Sequence, residues 1–241
     1  MVSDEATWSQ ELFGACDLGD RRRTRRLVDV GARLARQVGA SLAHCCEGES
    51  AALLGSYRLM RNEEVAPEAI RKGGFESVAV QAQSHAGVLL AVEDTTSVSY
   101  AHAVAAELGT TGSRREARHR GYLVHSVLLL EAAGERTVGL IEQRHWCRDD
   151  ASYGKKHARK RRAYEDKESF KWEQASVRMA ERLGEAMMRT ISVCDRESDI
   201  YEYLSYKLGQ GHRFVLRAQS DRRVLQAAQP LFGTLGRQAQ Q

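Results

Sequence analysis

The stretch VLLAVEDTTSVSY, residues 88–100, decides the fold class of this chain. It begins as an apolar run with β-branched residues, which is typical of a buried strand, and then places Glu93 and Asp94 side by side. A second apolar run, TISVCD, brings Asp195 to its carboxyl end. Open α/β sheets expose catalytic and ligand-binding groups at the carboxyl ends of their strands. The sequence therefore predicts two strands of one α/β sheet, each ending on an acid.

The spacing of apolar residues changes once along the chain. From Trp8 to about Val80 they recur at the helical period, and the start of another short helix is predicted at residues 68–72. After Gly87 three runs favour strands, followed by helix, strand, helix and strand. This βββαβαβ order predicts a mixed sheet flanked by helices. We predict a helical domain over residues 1–75 and an α/β domain over residues 76–241.

Composition narrows the class of protein. The 241 residues carry 36 Lys and Arg against 32 Asp and Glu, so the clustering of charge matters more than the net charge of +4. Two basic blocks, RRRTRR at residues 21–26 and KKHARKRR at residues 155–162, favour a polyanionic partner and are equally consistent with solvated surfaces. Five cysteines without a CxxC pair predict reduced thiols. With no leader peptide and no membrane-length apolar run, we expect a cytoplasmic protein without a membrane partner.

Each aspartate also has a purely structural interpretation. Asp94 would cap a turn through Thr95 and Thr96, and Asp195 would cap a helix that begins near Glu197. Yet Asp195 is followed by RESD, which crowds more charge onto this turn than one cap requires. Two carboxylates brought together would repel each other unless a hard cation such as Mg²⁺ or Mn²⁺ lay between them.

Four motifs then identify a family. VEDTTSVSY, RGYLVHSVLLLE, DKESFKW and VCDRESDIYEYL occur in this order, and the chain resembles transposases of the insertion-sequence-four family from about Trp8 to Arg223. The resemblance implies a ribonuclease-H-like core in which two aspartates and one glutamate hold two divalent ions, Mg²⁺ or Mn²⁺, for cut-and-paste DNA transposition. Asp94 and Asp195 match the two catalytic, metal-binding aspartates. Glu93 is expected to face away or to orient a neighbour, because successive strand residues point to opposite faces.

The resemblance also implies double-stranded DNA as the partner, both at transposon ends and at the target. Arg217 resembles a position that meets DNA near the active site, and Tyr122 stands where the family has a tryptophan in the region that handles a flipped base. Trp172 is either a family-like functional residue or a buried one. Basic positions of the end-recognition domain are matched by the following residues, for which a solvated basic face is the alternative: Arg23, Arg26, Arg36, Arg58 and Arg61.

The resemblance fails toward the C-terminus. The family's third metal ligand is a glutamate, and no glutamate follows Glu202; Asp221, beside two arginines, is a poor substitute. We therefore expect a C-terminally truncated, weakly active or inactive copy, partnered by a homodimer mate or by full-length transposase. The alternative is a non-catalytic DNA-binding remnant that competes with full-length transposase for transposon ends. A sheet without its last helices is also expected to leave an apolar face uncovered.

Overall fold

The computed structural model describes residues 4–112, 120–134, 136–148 and 161–221. Up to residue 84 the described residues form helices and connecting turns, as the periodicity predicted. The helices are α1 (Glu5–Phe13), α2 (Arg21–Arg36), α3 (Leu42–Cys45), α4 (Ser50–Met60) and α5 (Pro67–Ser84). Aspartates begin the first two: Asp4 accepts a hydrogen bond from the main chain of Thr7, and Asp20 accepts one from Arg22. Leu18, Leu27 and Leu59 belong to the small apolar core of this region.

Helix α5 begins at Pro67, close to the start predicted at residues 68–72, but it is not short. It continues through Gly73 and Gly74, because these glycines are buried against neighbouring side chains. A Cβ at Gly73 would lie only 2.4 Å from Sγ of Cys16, so glycine here permits close packing and does not end the helix. The helix also crosses the domain boundary predicted between residues 75 and 76. The division into two domains remains a prediction.

The remaining elements form a mixed sheet. In the described residues it has the strand order β3-β2-β1-β4-β5, with β1, β2 and β3 antiparallel and β4 parallel to both β1 and β5. This confirms the predicted mixed sheet and the order of its elements. The elements are β1 (Leu89–Tyr100), β2 (Arg120–Glu131), β3 (Thr137–Trp146), α6 (Lys171–Leu183), β4 (Thr190–Cys194), α7 (Tyr201–Gly209) and β5 (Arg213–Leu216).

The two faces of the sheet differ because side chains alternate along each strand. One face is buried against α5 and α6 over much of its area, with a core that includes Leu89, Leu129 and Met179, whereas the far end of β1 on this face is exposed. On the other face Val92 and Val98 remain 36% and 37% exposed. None of the described helices combines the length and the apolar character that crossing a bilayer requires.

Strand β1 does not end at Asp94, and this part of the prediction was wrong. It pairs with β2 over its whole length to Tyr100, while its parallel pairing with β4 ends at Glu93. Its antiparallel partner β2 is equally long, so the strand continues past Asp94 by pairing with β2 alone. Thr95 and Thr96 therefore lie in the strand and do not form the turn that Asp94 was expected to cap.

Candidate metal site and DNA-binding surface

The register of β1 and β4 brings the two predicted aspartates together. Glu93 is paired with Cys194, the last parallel pair, so the register makes the next residues neighbours: Asp94 continues β1, and Asp195 directly follows β4. Such strands lie about 4.8 Å apart. Both aspartates are exposed, whereas Glu93 and Cys194 are buried on the opposite face. The expectation that Glu93 faces away from Asp94 is confirmed.

Each aspartate uses one oxygen in a local hydrogen bond. Oδ1 of Asp94 accepts from the main-chain N–H of Thr95 at 2.7 Å, and Oδ1 of Asp195 accepts from that of Glu197 at 2.8 Å. Asp195 thereby caps the short 3₁₀ helix Arg196–Ser198, so its predicted capping role is observed on a shorter helix. Oδ2 of either aspartate has no hydrogen bond or ion pair to any residue that the structure describes. One carboxylate oxygen of each side chain can therefore bind a further ligand.

The paired aspartates fit a hard divalent cation, for which carboxylate oxygens are the preferred protein ligands. Two carboxylates supply part of the six oxygens that Mg²⁺ requires, and Mg²⁺ keeps several waters in its protein sites. Among the residues described, no group of three or more His, Cys, Asp and Glu side chains could hold a metal ion. The donors present thus fit an ion held by two protein ligands.

Arg217 joins the aspartates at the same level of the sheet. Strand β5 pairs with β4 through Cys194 and Leu216, and the main-chain N–H of Arg217 donates to the carbonyl of Cys194 at 3.3 Å. Arg217 therefore follows β5 as Asp195 follows β4, and its side chain is exposed. The structure thus has Asp94 within β1, Asp195 directly after β4 and Arg217 directly after β5, on three neighbouring segments of the sheet.

A buried polar cluster lies in the layer beneath the aspartates; we define it as Glu93, His125, Ser192 and Lys207. The ammonium of Lys207 donates to Oγ of Ser192 at 2.7 Å. Nδ1 of His125 lies 2.9 Å from Oγ1 of Thr95, and its Nε2 lies 3.9 Å from Oε2 of Glu93. Sequence reasoning assigned His125 no role and did not find Lys207, whose only sequence signal is a charge within the helical segment before β5.

Burial governs the ionisation of this cluster. Burial raises the pKa of the Glu93 carboxyl, an effect opposed by the positive charge of Lys207. Burial likewise lowers the pKa of the Lys207 ammonium. For His125, burial and the nearby charges of Lys171 and Arg144 lower the pKa to about 3. Its imidazole is therefore neutral near pH 7.

The start of α6 supports the turn that carries Asp195. The ammonium of Lys171, only 7% exposed, lies 3.3 Å from Oε2 of Glu197 and within 6 Å of the ring centroids of Trp146 and Trp172. Trp172 is 1% exposed, which confirms that it is a buried residue. Lys171 also lines a cleft of about 700 Å³ between the end of β3 and the start of α6.

This cleft has a mixed lining in which cations predominate. Arg148 is held by two hydrogen bonds to Glu168, at 2.6 and 2.7 Å, and Arg144 contacts Gln174. Arg162, the last residue of the basic block, also lines the cleft. The predicted phosphate contact of residues 155–160 lies outside the described residues.

The five arginines predicted to bind DNA have different surroundings. Arg23 donates to the carbonyl of Leu18 at 3.0 Å and pairs with Glu64, so it is engaged within the helical region. Arg26 likewise pairs with Asp29 at 3.3 Å. The other three side chains are exposed, and the last of them lies over the Tyr57 ring at 5.6 Å; they are Arg36, Arg58 and Arg61.

Tyr122 lies on the same face of the sheet as Asp94. Asp94 is paired with Ser126, four residues from Tyr122 along β2, which corresponds to about 13 Å. The half-buried Tyr122 ring meets Tyr100 and His145 edge-on, at centroid distances of 6.5 and 5.4 Å. Tyr100, Tyr122 and His145 thus form an aromatic group on the face of the sheet that carries Asp94.

The helical region and the mixed sheet define an α/β protein. Its paired aspartates lie at the sheet, and its exposed arginines Arg36, Arg58 and Arg61 lie in the helical region. Residues 5–65 match the family model of the transposase DNA-binding domain. The match spans α1 to α4 and contains all five predicted arginines. It supports a transposase and DNA as its partner.

The arginine surroundings lead to a direct test. Replacing both Arg36 and Arg58 with alanine is expected to weaken binding of a labelled DNA duplex and to reduce the slope of log affinity against log salt by about 2, or about 1 per lost phosphate contact. Fluorescence anisotropy over a range of salt concentrations measures both quantities. Arg23→Ala is the matched comparison and should mainly lower the melting temperature, because it leaves Glu64 and the Leu18 carbonyl without this partner. An unchanged salt slope in the double variant would contradict the assignment.

Proposed function

We propose that this chain is a cut-and-paste DNA transposase of the insertion-sequence-four family, similar to the transposase of bacterial transposon five. Its helical region would recognise transposon ends, and its sheet would be a ribonuclease-H-like core. The transposase DNA-binding match and the βββαβαβ order of elements support this proposal. The observation that carries its catalytic part is the register that makes Asp94 and Asp195 neighbours.

The proposed roles follow from the positions of the side chains. Asp94 and Asp195 would together hold a divalent cation, whose charge offsets their mutual repulsion. When bound, Mg²⁺ or Mn²⁺ supplies an activated water and stabilises charge on the leaving oxygen of a DNA phosphodiester. Arg217, which directly follows β5, would bind a DNA phosphate through its planar guanidinium. The arginines of the helical region would hold the duplex in register, because phosphate contacts position a protein on DNA.

Cleavage by this chain alone is expected to be weak. The resemblance requires a third carboxylate, and the only acid after Glu202 in this sequence is Asp221. We propose that a carboxylate from outside this sequence, such as one supplied by a full-length transposase, completes the site.

A second candidate function is DNA binding without cleavage, in competition with full-length transposase for transposon ends. The observation that favours it is that the described part of the chain contains no group of three metal-ligating side chains. In this case the paired aspartates would contribute nothing to DNA binding, and the arginines of the helical region would carry it.

Strand cleavage separates the two candidates. The chain is incubated with labelled transposon-end DNA and Mg²⁺ or Mn²⁺, alongside Asp94→Ala and Asp195→Ala variants. Nicks that require both the metal and both aspartates support the transposase. Binding that survives both substitutions, with no nicks under any condition, supports the competitor and contradicts catalysis by this chain.

A further inference from the structure

The buried polar cluster places ionisable side chains where a purely structural core would hold apolar ones. The side chains of Glu93 and Lys207 are fully buried, and they come from a strand and from a helix packed against the sheet. Neither carboxylate oxygen of Glu93 nor Nε2 of His125 has a hydrogen-bond partner of good geometry among the described residues. Burying ionisable groups costs free energy, and replacing them with apolar residues of similar size is often neutral or stabilising. Stability alone therefore gives no reason for this arrangement.

The cluster is connected to both aspartates through the main chain. Glu93 directly precedes Asp94 on β1, and Ser192 lies three residues before Asp195 on β4. Lys207 contacts Ser192 and exerts its charge on Glu93, so it interacts with both strands. These are the strands whose register makes the aspartates neighbours.

His125 provides a second, shorter connection. Its Nδ1 lies 2.9 Å from the Thr95 hydroxyl, and the main-chain N–H of the same threonine donates to Oδ1 of Asp94 at 2.7 Å. The imidazole is itself held edge-on against the buried Trp172 ring, with centroids 4.6 Å apart. The position of His125 therefore constrains the residue that orients the Asp94 carboxylate.

We propose that the buried polar cluster is a positioning unit, which holds β1 and β4 so that the carboxylates of Asp94 and Asp195 keep the spacing that one divalent cation requires. This inference rests on the proposed metal-binding function. Apolar contacts are non-directional, whereas hydrogen bonds and buried charges specify one geometry. Groups that orient metal ligands typically contribute about 10–100-fold to metal affinity.

The test compares metal affinity with stability in the full chain. Mn²⁺ dissociation constants are measured by electron paramagnetic resonance of the free ion, and stability is measured by thermal unfolding. The double variant Glu93→Gln/Lys207→Met removes both buried ionisable groups at similar volume. It is expected to bind Mn²⁺ about 10–100-fold more weakly while its melting temperature is unchanged or raised.

A matched control is available on β3. Glu142 is also a buried glutamate of the sheet, 2% exposed, but its partners are Arg178 and Arg182 and it lies on a strand separated from β4 by β1 and β2. Glu142→Gln is expected to lower the melting temperature and to leave the Mn²⁺ affinity unchanged. The opposite behaviour of two buried glutamates separates positioning from general stability.

A milder variant covers the case in which the double variant does not fold. Thr95→Val removes only the hydroxyl that contacts His125 and keeps a β-branched side chain. It is expected to weaken Mn²⁺ binding several-fold. Wild-type affinity in Thr95→Val and in every folded cluster variant would overturn the positioning role alone. Mn²⁺ binding by the wild-type chain that is indifferent to Asp94→Ala and Asp195→Ala would overturn the proposed metal site and the positioning role together.

Discussion

Asp94→Asn and Asp195→Asn are each expected to remove detectable Mn²⁺ binding, with a loss in affinity of more than about 100-fold, beyond what the loss of an orienting group costs. The two aspartates directly follow the last parallel pair of β1 and β4, and the neutral amide removes the charge that attracts the cation. Titration with Mn²⁺, followed by electron paramagnetic resonance of the free ion, measures the loss.

Asparagine is the informative replacement because it separates metal binding from local structure. In the Asp195→Asn variant the side-chain amide oxygen can still accept the hydrogen bond from Glu197, whereas alanine would lose a helix cap worth about 1 kcal/mol. The asparagine variants should therefore unfold like the wild type without metal, or at slightly higher temperature, since the repulsion between the two carboxylates is relieved. Wild-type Mn²⁺ affinity in either variant would exclude that aspartate as a ligand.

Trp172→Ala is expected to lower the free energy of unfolding by about 3–5 kcal/mol, the usual cost of truncating a buried aromatic residue. The side chain is 1% exposed and packs between His125 and Tyr203, with ring centroids at 4.6 and 6.3 Å. Its removal leaves a cavity beneath the strands that carry the aspartates. Urea denaturation measures the change.

Trp146 is the natural comparison for Trp172. It is only half-buried at the end of β3, so Trp146→Ala should cost clearly less than Trp172→Ala. Trp172→Phe keeps most of the apolar volume. Its loss in free energy of unfolding should therefore fall between those of Trp146→Ala and Trp172→Ala. A loss below about 1 kcal/mol for Trp172→Ala would show that the site collapses around the smaller side chain, contrary to a rigidly packed interior.

The sequence predicted secondary structure best where its signal was local and periodic. The apolar spacing through α2 and α4 predicted helices, and the run ending at Cys194 predicted a strand, because each pattern repeats within a few residues. It was misleading at Gly73 and at Asp94. The helix predicted to start at residues 68–72 was expected to be short and an acidic pair suggested a strand end, but packing of Gly73 against Cys16 and pairing of β1 with β2 continued both elements.

At the candidate site, too, the sequence predicted local features and missed contacts between residues far apart in the chain. The sequence identified Asp94 and Asp195 as unusual acids after apolar runs, and a family resemblance linked them to metal ions. It treated Arg23 like Arg36, although Arg23 pairs with Glu64, because an ion pair 41 residues apart leaves no local pattern. Lys207 escaped notice for the same reason, since its burial depends on the packing of α7 against the sheet.

By itself, then, the amino-acid sequence determined the order of helices and strands, the helical character of the N-terminal region and the presence of two acids where the parallel pairing ends. Only the tertiary structure decided that these acids are neighbours, that Arg217 lies beside them, and that Glu93 and Lys207 meet His125 and Ser192 beneath them. The physical reason is that secondary structure follows from side-chain periodicity along a short segment, whereas strand register and the burial of charge are set by contacts between residues far apart in the chain.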